Sequence, residues 1–284
     1  MTNDKRRVTS QTSLRGQTIG IIGGGTMGAA LVKGLRARGV AGSRLIVSDV
    51  RAVRLADVRR RYGVRVTRKN AAVVSVSSII VLAVKPQELD GVLQTCAAAS
   101  RGRLPLYISI AAGVTLERLQ RRLGRGASVV RAMPNAAARI GSAISALAAG
   151  RHVSVAQRRQ ARAICAAMGD VIEVPERWLN AVTAISGSGP AYFFTLVKAM
   201  REAGRRVGLP ASVAQRLAAS TALGSARLLI ETGEDPAVLI GHVASKRGTT
   251  EAALKVFTKR GFDRIVAEAV AAAARRAKEL ACSS

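Results

Sequence analysis

Over the first 175 residues the hydrophobic pattern repeats one unit: a short, unbroken apolar run, a turn, then a stretch with apolar residues every three or four positions. Residues 18 to 23 form the first run, which ends in glycines, and Met27, Ala30, Leu31, Gly34 and Leu35 continue with helical spacing to Arg38. This predicts strand, turn and helix. Leu45 to Val47 gives a second strand that ends at Ser48 and Asp49, and a helix to Tyr62 follows, completing a βαβ unit. The alternation predicts further strands at Ile79 to Val84, Leu106 to Ile110 and Ser128 to Ala132, with helices after Pro86 and from Thr115. Another strand and helix are expected within residues 142–168, and a closing strand at Val171 to Val174. Runs that are apolar throughout, rather than at every second position, suit strands covered on both faces by helices.

After Pro175 the pattern changes. Ala191 to Arg206, Ala211 to Thr232 and Arg264 to Leu280 are helical in composition and spacing, and no strand is predicted among them. Gly208-Leu209-Pro210 and Gly233-Glu234-Asp235-Pro236 break the run, with Asp235 placed to cap a helix before Pro236. The expected organisation is a flexible tail over residues 1–17, an α/β domain over 18–175 and an all-helical domain over 176–284. The helical part is Ala-rich and offers few bulky core residues, so its apolar faces are expected to pack against another subunit.

Composition sharpens this picture. Aromatic residues are 3% of the chain against 49% hydrophobic, so the core is built from Ala, Val, Leu and Ile. No apolar run reaches the roughly 20 residues needed to cross a bilayer, and the polar, basic start lacks a signal-peptide core. A cytoplasmic protein without membrane contact is expected. Cys96, Cys165 and Cys282 are far apart, with only His152 and His242 to assist, and are expected to be reduced thiols, with no metal site. The formal charge of +28 comes from 45 basic and 17 acidic residues, and nine of the basic ones are Lys. They are spread along the chain without interleaved aromatics, so a solvated basic surface is expected rather than a dedicated nucleic-acid site.

Gly23-Gly24-Gly25-Thr26-Met27-Gly28 has the G-x-G-x-x-G spacing directly after a strand and before a helix. In a βαβ unit the first glycine permits a tight turn, the second lets the backbone approach a pyrophosphate, and the third lets helix pack on strand. Asp49, 21 residues after Gly28 at the end of the second strand, is placed to accept hydrogen bonds from an adenosine ribose and would repel a 2′-phosphate. Arg51 and Arg54 are near enough to hold such a phosphate, so NADH and NADPH both stay open. Ala83-Val84-Lys85-Pro86 ends a strand at the carboxyl edge of the sheet, where ligands lie in such folds, and Lys85 either faces the cofactor or is solvated.

In the helical part, Ser186-Gly187-Ser188-Gly189-Pro190-Ala191 opens a helix with Pro190 in its first turn, and its small residues suit either close packing or a ligand. Ser245-Lys246-Arg247-Gly248-Thr249-Thr250 is a loop that runs into a helix whose free N–H groups form an anion site, or simply a Thr-capped helix start. There is no nucleophile elbow, no Walker loop and no His-based triad. The lack of a His base suits reduction of an imine, which is already protonated and needs only orientation and a hydride.

Together these segments resemble the pyrroline-5-carboxylate reductase family from about residue 17 to 282. The resemblance is carried by residues 19–28, Ala83 to Gln87, Ser109 to Val114, Arg131 to Asn135, Ser186 to Ala191 and Gly248 to Thr250, in that order. It implies a Rossmann-type, mostly parallel sheet domain followed by a helical dimerisation domain, in a homodimer or a larger homo-oligomer built from dimers. It implies NADH- or NADPH-dependent reduction of a cyclic imine carboxylate to proline, the last step of proline biosynthesis. The implied cofactor contacts are Gly23, Gly25, Thr26, Met27, Gly28, Asp49, Arg51, Asn70 near the adenosine ribose, Ala83, Val84, Lys85, Pro86 and Asn135. The implied substrate contacts are Ser188, Gly248, Thr249 and Thr250, with Thr250 near the ring nitrogen and counted as catalytic.

Three segments depart from the family pattern. A usual Ser-Pro-Gly-Gly-Thr-Thr reads Ser245-Lys246-Arg247-Gly248-Thr249-Thr250, and Met-Pro-Asn-Thr-Pro-Ala reads Met133-Pro134-Asn135-Ala136-Ala137-Ala138. A usual helical Glu appears as Lys198. Two other functions stay open at this point. One is a related imine or β-hydroxyacid reductase, in which Lys198 would act. The other is a non-catalytic descendant that binds nucleic acid through its basic surface.

Overall fold

The computed structural model describes residues 13–100 and 102–282. By its own contacts the chain divides into two compact units: Met1–Gly187 together with Ala273–Ser284, and Ser188–Ala272.

The first unit is a sheet of eight strands in the order β3-β2-β1-β4-β5-β6-β7-β8. The strands are β1 Ile19–Ile22, β2 Leu45–Ser48, β3 Arg65–Thr67, β4 Ile79–Leu82, β5 Leu106–Ser109, β6 Ser128–Met133, β7 Ala143–Ala149 and β8 Gly169–Glu173. All neighbours are parallel except β6 and β7. The six strands from β3 to β6 have the order of the doubly wound dinucleotide-binding fold. The expected mostly parallel α/β architecture is therefore what the chain adopts. Every residue of β1, β4 and β5 is buried, which is why these strands read as unbroken apolar runs.

The helices that cover the sheet are α1 Thr26–Ala37, α2 Ala52–Tyr62, α3 Asn70–Val76, α4 Leu89–Ser100, α5 Leu116–Leu123 and α6 Val155–Ala166. Two aliphatic clusters fill the layers on either side of the sheet. Cap chemistry sets several helix starts. The Thr115 hydroxyl accepts from Arg118 N–H, and Ser154 with Gln157 forms a capping box.

Three features differ from expectation. The strand β3 and the helix α3 were not predicted between Tyr62 and Ile79. The tail expected over residues 1–17 falls outside the described residues up to 12, but its end is packed: Leu14 is buried, and Arg44 donates to the carbonyls of Leu14 and Gln17. The first unit also continues past Pro175. A 3₁₀ turn at Glu176–Trp178, the short helix α7 (Leu179–Val182) and a π turn at Thr183–Gly187 stay with the sheet. Leu179 packs with Ala146 and Ala148, and the Glu176 carboxylate accepts from Arg131 Nη1 and Leu116 N–H, each at 2.6 Å.

The second unit is helical: α8 Gly189–Arg206, α9 Ala211–Thr232, α10 Pro236–Val243, α11 Thr249–Lys259 and the first part of α12 Phe262–Cys282. Asp235 caps α10 through Ala237 N–H, with Pro236 in the first turn, as its sequence context predicts. Among the described residues, no helix is long and apolar enough to cross a membrane.

Candidate functional site

The register of the sheet aligns Thr67, Ser48, Ile22, Leu82, Ser109 and Arg131 across five strand pairs. The residues that follow β1, β2 and β4, namely the glycine loop, Asp49 and Ala83 to Pro86, therefore leave the sheet along one edge.

The three motif glycines exist for different reasons. Gly23 adopts φ 107°, and a Cβ there would stand 2.5 Å from the Ala83 carbonyl oxygen and 3.2 Å from Val84 Cγ1. A Cβ on Gly28 would run into the Gly23 carbonyl. These two are required by the chain's own packing. Gly25 is not: its φ is −69°, and an added Cβ would meet nothing nearer than Arg54 Nη1 at 3.7 Å. The space in front of Gly25 is open, as a close approach of backbone to a ligand needs. Behind it the first-turn N–H groups of Thr26, Met27 and Gly28 have no intrahelical acceptor, and no acidic side chain sits in that turn. The loop thus fits a pyrophosphate.

Asp49 is buried and braces the loop. Its Oδ2 accepts from Gly24 N–H at 2.9 Å and from Arg54 Nη1 at 3.2 Å, and its Oδ1 accepts from Arg51 N–H at 2.8 Å. Arg51, exposed, is the residue preceding α2. Asn70 begins α3, and its Oδ1 accepts the Ser48 hydroxyl at 2.7 Å, which ties it to the end of β2. Ser48 was not singled out in the sequence; the signal was a hydroxyl closing an otherwise apolar strand. Ala83 accompanies β1 through its N–H to the Ile22 carbonyl, Val84 is half-buried, Lys85 is exposed, and Pro86 starts a 3₁₀ turn. Asn135 follows β6 and caps the turn Ala136–Ile140 by accepting from Ala137 N–H at 3.3 Å.

The candidate substrate residues lie in the second unit. Ser188 precedes α8 and accepts Ala191 N–H through its backbone carbonyl. Gly248 caps α11, and a Cβ there would collide with the Ser245 hydroxyl. Thr249 and Thr250 fill the first two helical positions, so their N–H groups and that of Glu251 have no intrahelical acceptor. Arg247, at a position where the family usually has Gly, has φ 63°, the one left-handed non-glycine among the described residues. Its N–H donates to the Glu251 carboxylate, which Lys255 Nζ also meets at 2.6 Å. Those two contacts, Lys255 first, hold the Glu251 carboxyl below its usual range. Lys198 is exposed on α8, two turns past Pro190.

Cys96 and Cys165 are free and buried, and burial pushes both thiols up to about 12, so they stay neutral. The side chain of Cys282 falls outside the described residues.

Two family models match the chain: "Pyrroline-5-carboxylate reductase dimerisation" over residues 176–280 and "NADP oxidoreductase coenzyme F420-dependent" over residues 18–113. The pyrroline-5-carboxylate reductase of Synechocystis sp. is 43% identical over 263 residues, which cover 92% of this chain and 97% of that protein. That of Pseudomonas aeruginosa is 42% identical, covering 93% of this chain and 96% of its own. Among solved structures, a pyrroline-5-carboxylate reductase from Coxiella burnetii superposes with a TM-score of 0.89 at 35% identity, covering 93% and 98% of the two chains. The Plasmodium falciparum pyrroline carboxylate reductase, solved with NADP bound, superposes with a TM-score of 0.84 at 25% identity, covering 94% and 98%.

Proposed function

The chain belongs to the pyrroline-5-carboxylate reductase family, and from that premise we propose that it reduces the C=N bond of a cyclic imine carboxylate to give proline. One observation carries the reading. Gly25 fronts open space, and the first turns of α1 and α11 present N–H groups without an intrahelical acceptor, at the positions the family uses for cofactor and substrate.

Gly23 to Gly28 would hold the dinucleotide pyrophosphate, with Asn70 and Asp49 toward the adenosine end and Ala83 to Pro86 and Asn135 toward the nicotinamide. When bound, NADH or NADPH supplies the hydride. The protein's own part is positional. The N–H groups of Thr249 and Thr250 receive the substrate carboxylate, Ser188 lines the same site, and the Thr250 hydroxyl orients the ring nitrogen. A neutral alcohol is too weak an acid or base to do more at neutral pH. The imine nitrogen keeps the proton it carries, its carbon gains the hydride pair, and the C=N double bond becomes a single bond.

We also propose that the helical unit pairs with a second copy of the chain and that the enzyme works in the cytoplasm, a reading that free, buried thiols suit. The direct test mixes purified protein with pyrroline-5-carboxylate and NADH or NADPH and follows absorbance near 340 nm. Oxidation of either cofactor that depends on the imine is expected; no turnover with both would refute the reading.

A further inference from the structure

Arg131 is the one buried cation among the described residues, with its side chain 9% exposed. A single carboxylate oxygen of Glu176, Oε1, accepts from both Arg131 Nη1 and Leu116 N–H, each at 2.6 Å. That atom joins β6, the first residue of α5 and the stretch that follows β8. A buried ion pair is weak evidence for stability, because desolvation takes back much of what the attraction gains. What such a pair fixes is geometry.

The order of the sheet shows which geometry is fixed here. β5 lies between β4 and β6, all three run parallel, and Leu82, Ser109 and Arg131 share one row. The loop of residues 110–115 after β5 therefore emerges between Ala83 to Pro86, which follow β4, and Asn135, which follows β6. Those two flanking segments are the ones placed toward the nicotinamide. The loop is tied at both ends. Ile110 N–H donates to the Leu82 carbonyl and Ala111 N–H to the Ser109 hydroxyl, while at the far end Leu116 N–H donates to Glu176. Glu176 thus sets where the loop finishes, and Arg131, four residues before Asn135, holds Glu176. Gly187 closes the same stretch onto Met133, since a Cβ there would stand 2.7 Å from Met133 Cε.

We propose that Arg131 and Glu176 are positioning residues for hydride transfer: their ion pair fixes the loop 110–115 and the end of β6 as the wall that orients the nicotinamide ring. The inference rests on the reductase reading for the place of the nicotinamide. The pair acts through the backbone it holds, not by touching the reacting atoms.

The test replaces the pair as a unit in the full chain, because removing one partner leaves the other charge uncompensated. Arg131→Met with Glu176→Leu introduces apolar side chains of similar size, an exchange that is often neutral or stabilising. Its chemical unfolding is expected to match that of the unmodified chain. ADP-ribose, which has the adenosine and pyrophosphate but no nicotinamide, should bind within about twofold of the unmodified affinity. With pyrroline-5-carboxylate, kcat and kcat/KM should fall together by at least about tenfold at unchanged KM, the pattern of lost orientation in the transition state. Arg131→Met with Glu176→Gln keeps an amide oxygen for Leu116 N–H and should recover several-fold of that loss. Unchanged kcat in the folded apolar pair would overturn the proposal, as would no recovery with Glu176→Gln or an equal loss of ADP-ribose affinity. An apolar pair that does not fold would make the ion pair a folding element and overturn it too. An unmodified chain that oxidises neither cofactor in the presence of the imine refutes the reductase reading, and this inference with it, before any variant is compared.

Discussion

The two units solve the burial problem in opposite ways. In the first, Ile19, Ile21, Leu45, Val47, Ile79 and Val81 have no exposed surface at all, and helices on both sides close the layers. In the second, the four helices α8 to α11 bury only Gly189, Ala214 and Ala218, while Phe193, Phe194, Leu223, Ile230 and Val243 are more than 60% exposed. Full burial of one such side chain is worth about 1.5–3 kcal/mol. The first unit therefore carries its own driving force for folding, and the second leaves much of its own for another surface to supply. This fits a chain with so few aromatics placing Phe193 and Phe194 where the solitary chain buries little of them.

The largest effect is expected from a charge on that face. Phe194→Glu should move the homo-oligomer proposed above toward monomer by roughly 100-fold or more in the association constant, since an unpaired buried carboxylate costs several kcal/mol. Light scattering coupled to size-exclusion chromatography would report it. Because the glycine loop lies in the other unit, binding of adenosine nucleotides should persist in the monomer. An unchanged mass would show that this face is not the contact.

Within the first unit, the glycine loop allows a finer comparison. Gly28→Ala forces a methyl group against the Gly23 carbonyl and should cost about 1–3 kcal/mol of stability, read from chemical unfolding. Gly25→Ala meets only the end of the Arg54 side chain, so stability should stay within about 0.5 kcal/mol, while dinucleotide affinity falls roughly tenfold. Equal stability losses in the two variants would mean that Gly25 serves packing after all.

Most of the strands and most helix limits were legible because burial on both faces leaves unbroken apolar runs, and because caps such as Thr115 and Asp235 mark helix starts. β3 and α3 were not. Arg65–Thr67 is a three-residue edge strand in which only Val66 is apolar, and α3 has two turns, too few for a helical period to emerge. Spacing found Asp49 but could not reveal that its carboxylate braces the loop, since its partners Gly24 and Arg54 lie 25 and 5 residues away. The pattern break after Pro175 marked the change to helix correctly. It could not show that the helical segment as far as Gly187 stays with the sheet, because Leu179 and Glu176 make that attachment by tertiary contacts.

In the second unit, the site at the start of α11 should respond moderately. Thr250→Ala would remove the proposed orienting hydrogen bond, worth about 0.5–1.5 kcal/mol and more where a partner is left unsatisfied, so kcat/KM should fall roughly tenfold. Thr249→Ala keeps its backbone N–H and should do less. Cofactor affinity should barely change in either. Wild-type kcat/KM in Thr250→Ala would place the substrate elsewhere.

The smallest expected effect lies two residues before those threonines. Arg247 holds φ 63°, a conformation that costs a residue with a Cβ roughly 1–2 kcal/mol relative to the right-handed region. Nothing in its fixed contacts requires arginine, because its N–H, which any residue but proline supplies, is the group that donates to Glu251. Arg247→Gly would relieve the strain and keep that bond, but it would also give the unfolded chain more freedom, which offsets about 0.5–1 kcal/mol. The net expectation is a stabilisation of at most about 1 kcal/mol, visible as a small rise in the denaturation midpoint at unchanged slope. Arg247→Ala keeps the Cβ and the strain, so it separates backbone from side chain: its stability should match that of the unmodified chain. If Arg247→Ala gained as much as Arg247→Gly, the backbone would not be the strained element, and charge repulsion in this strongly basic chain would explain the gain instead.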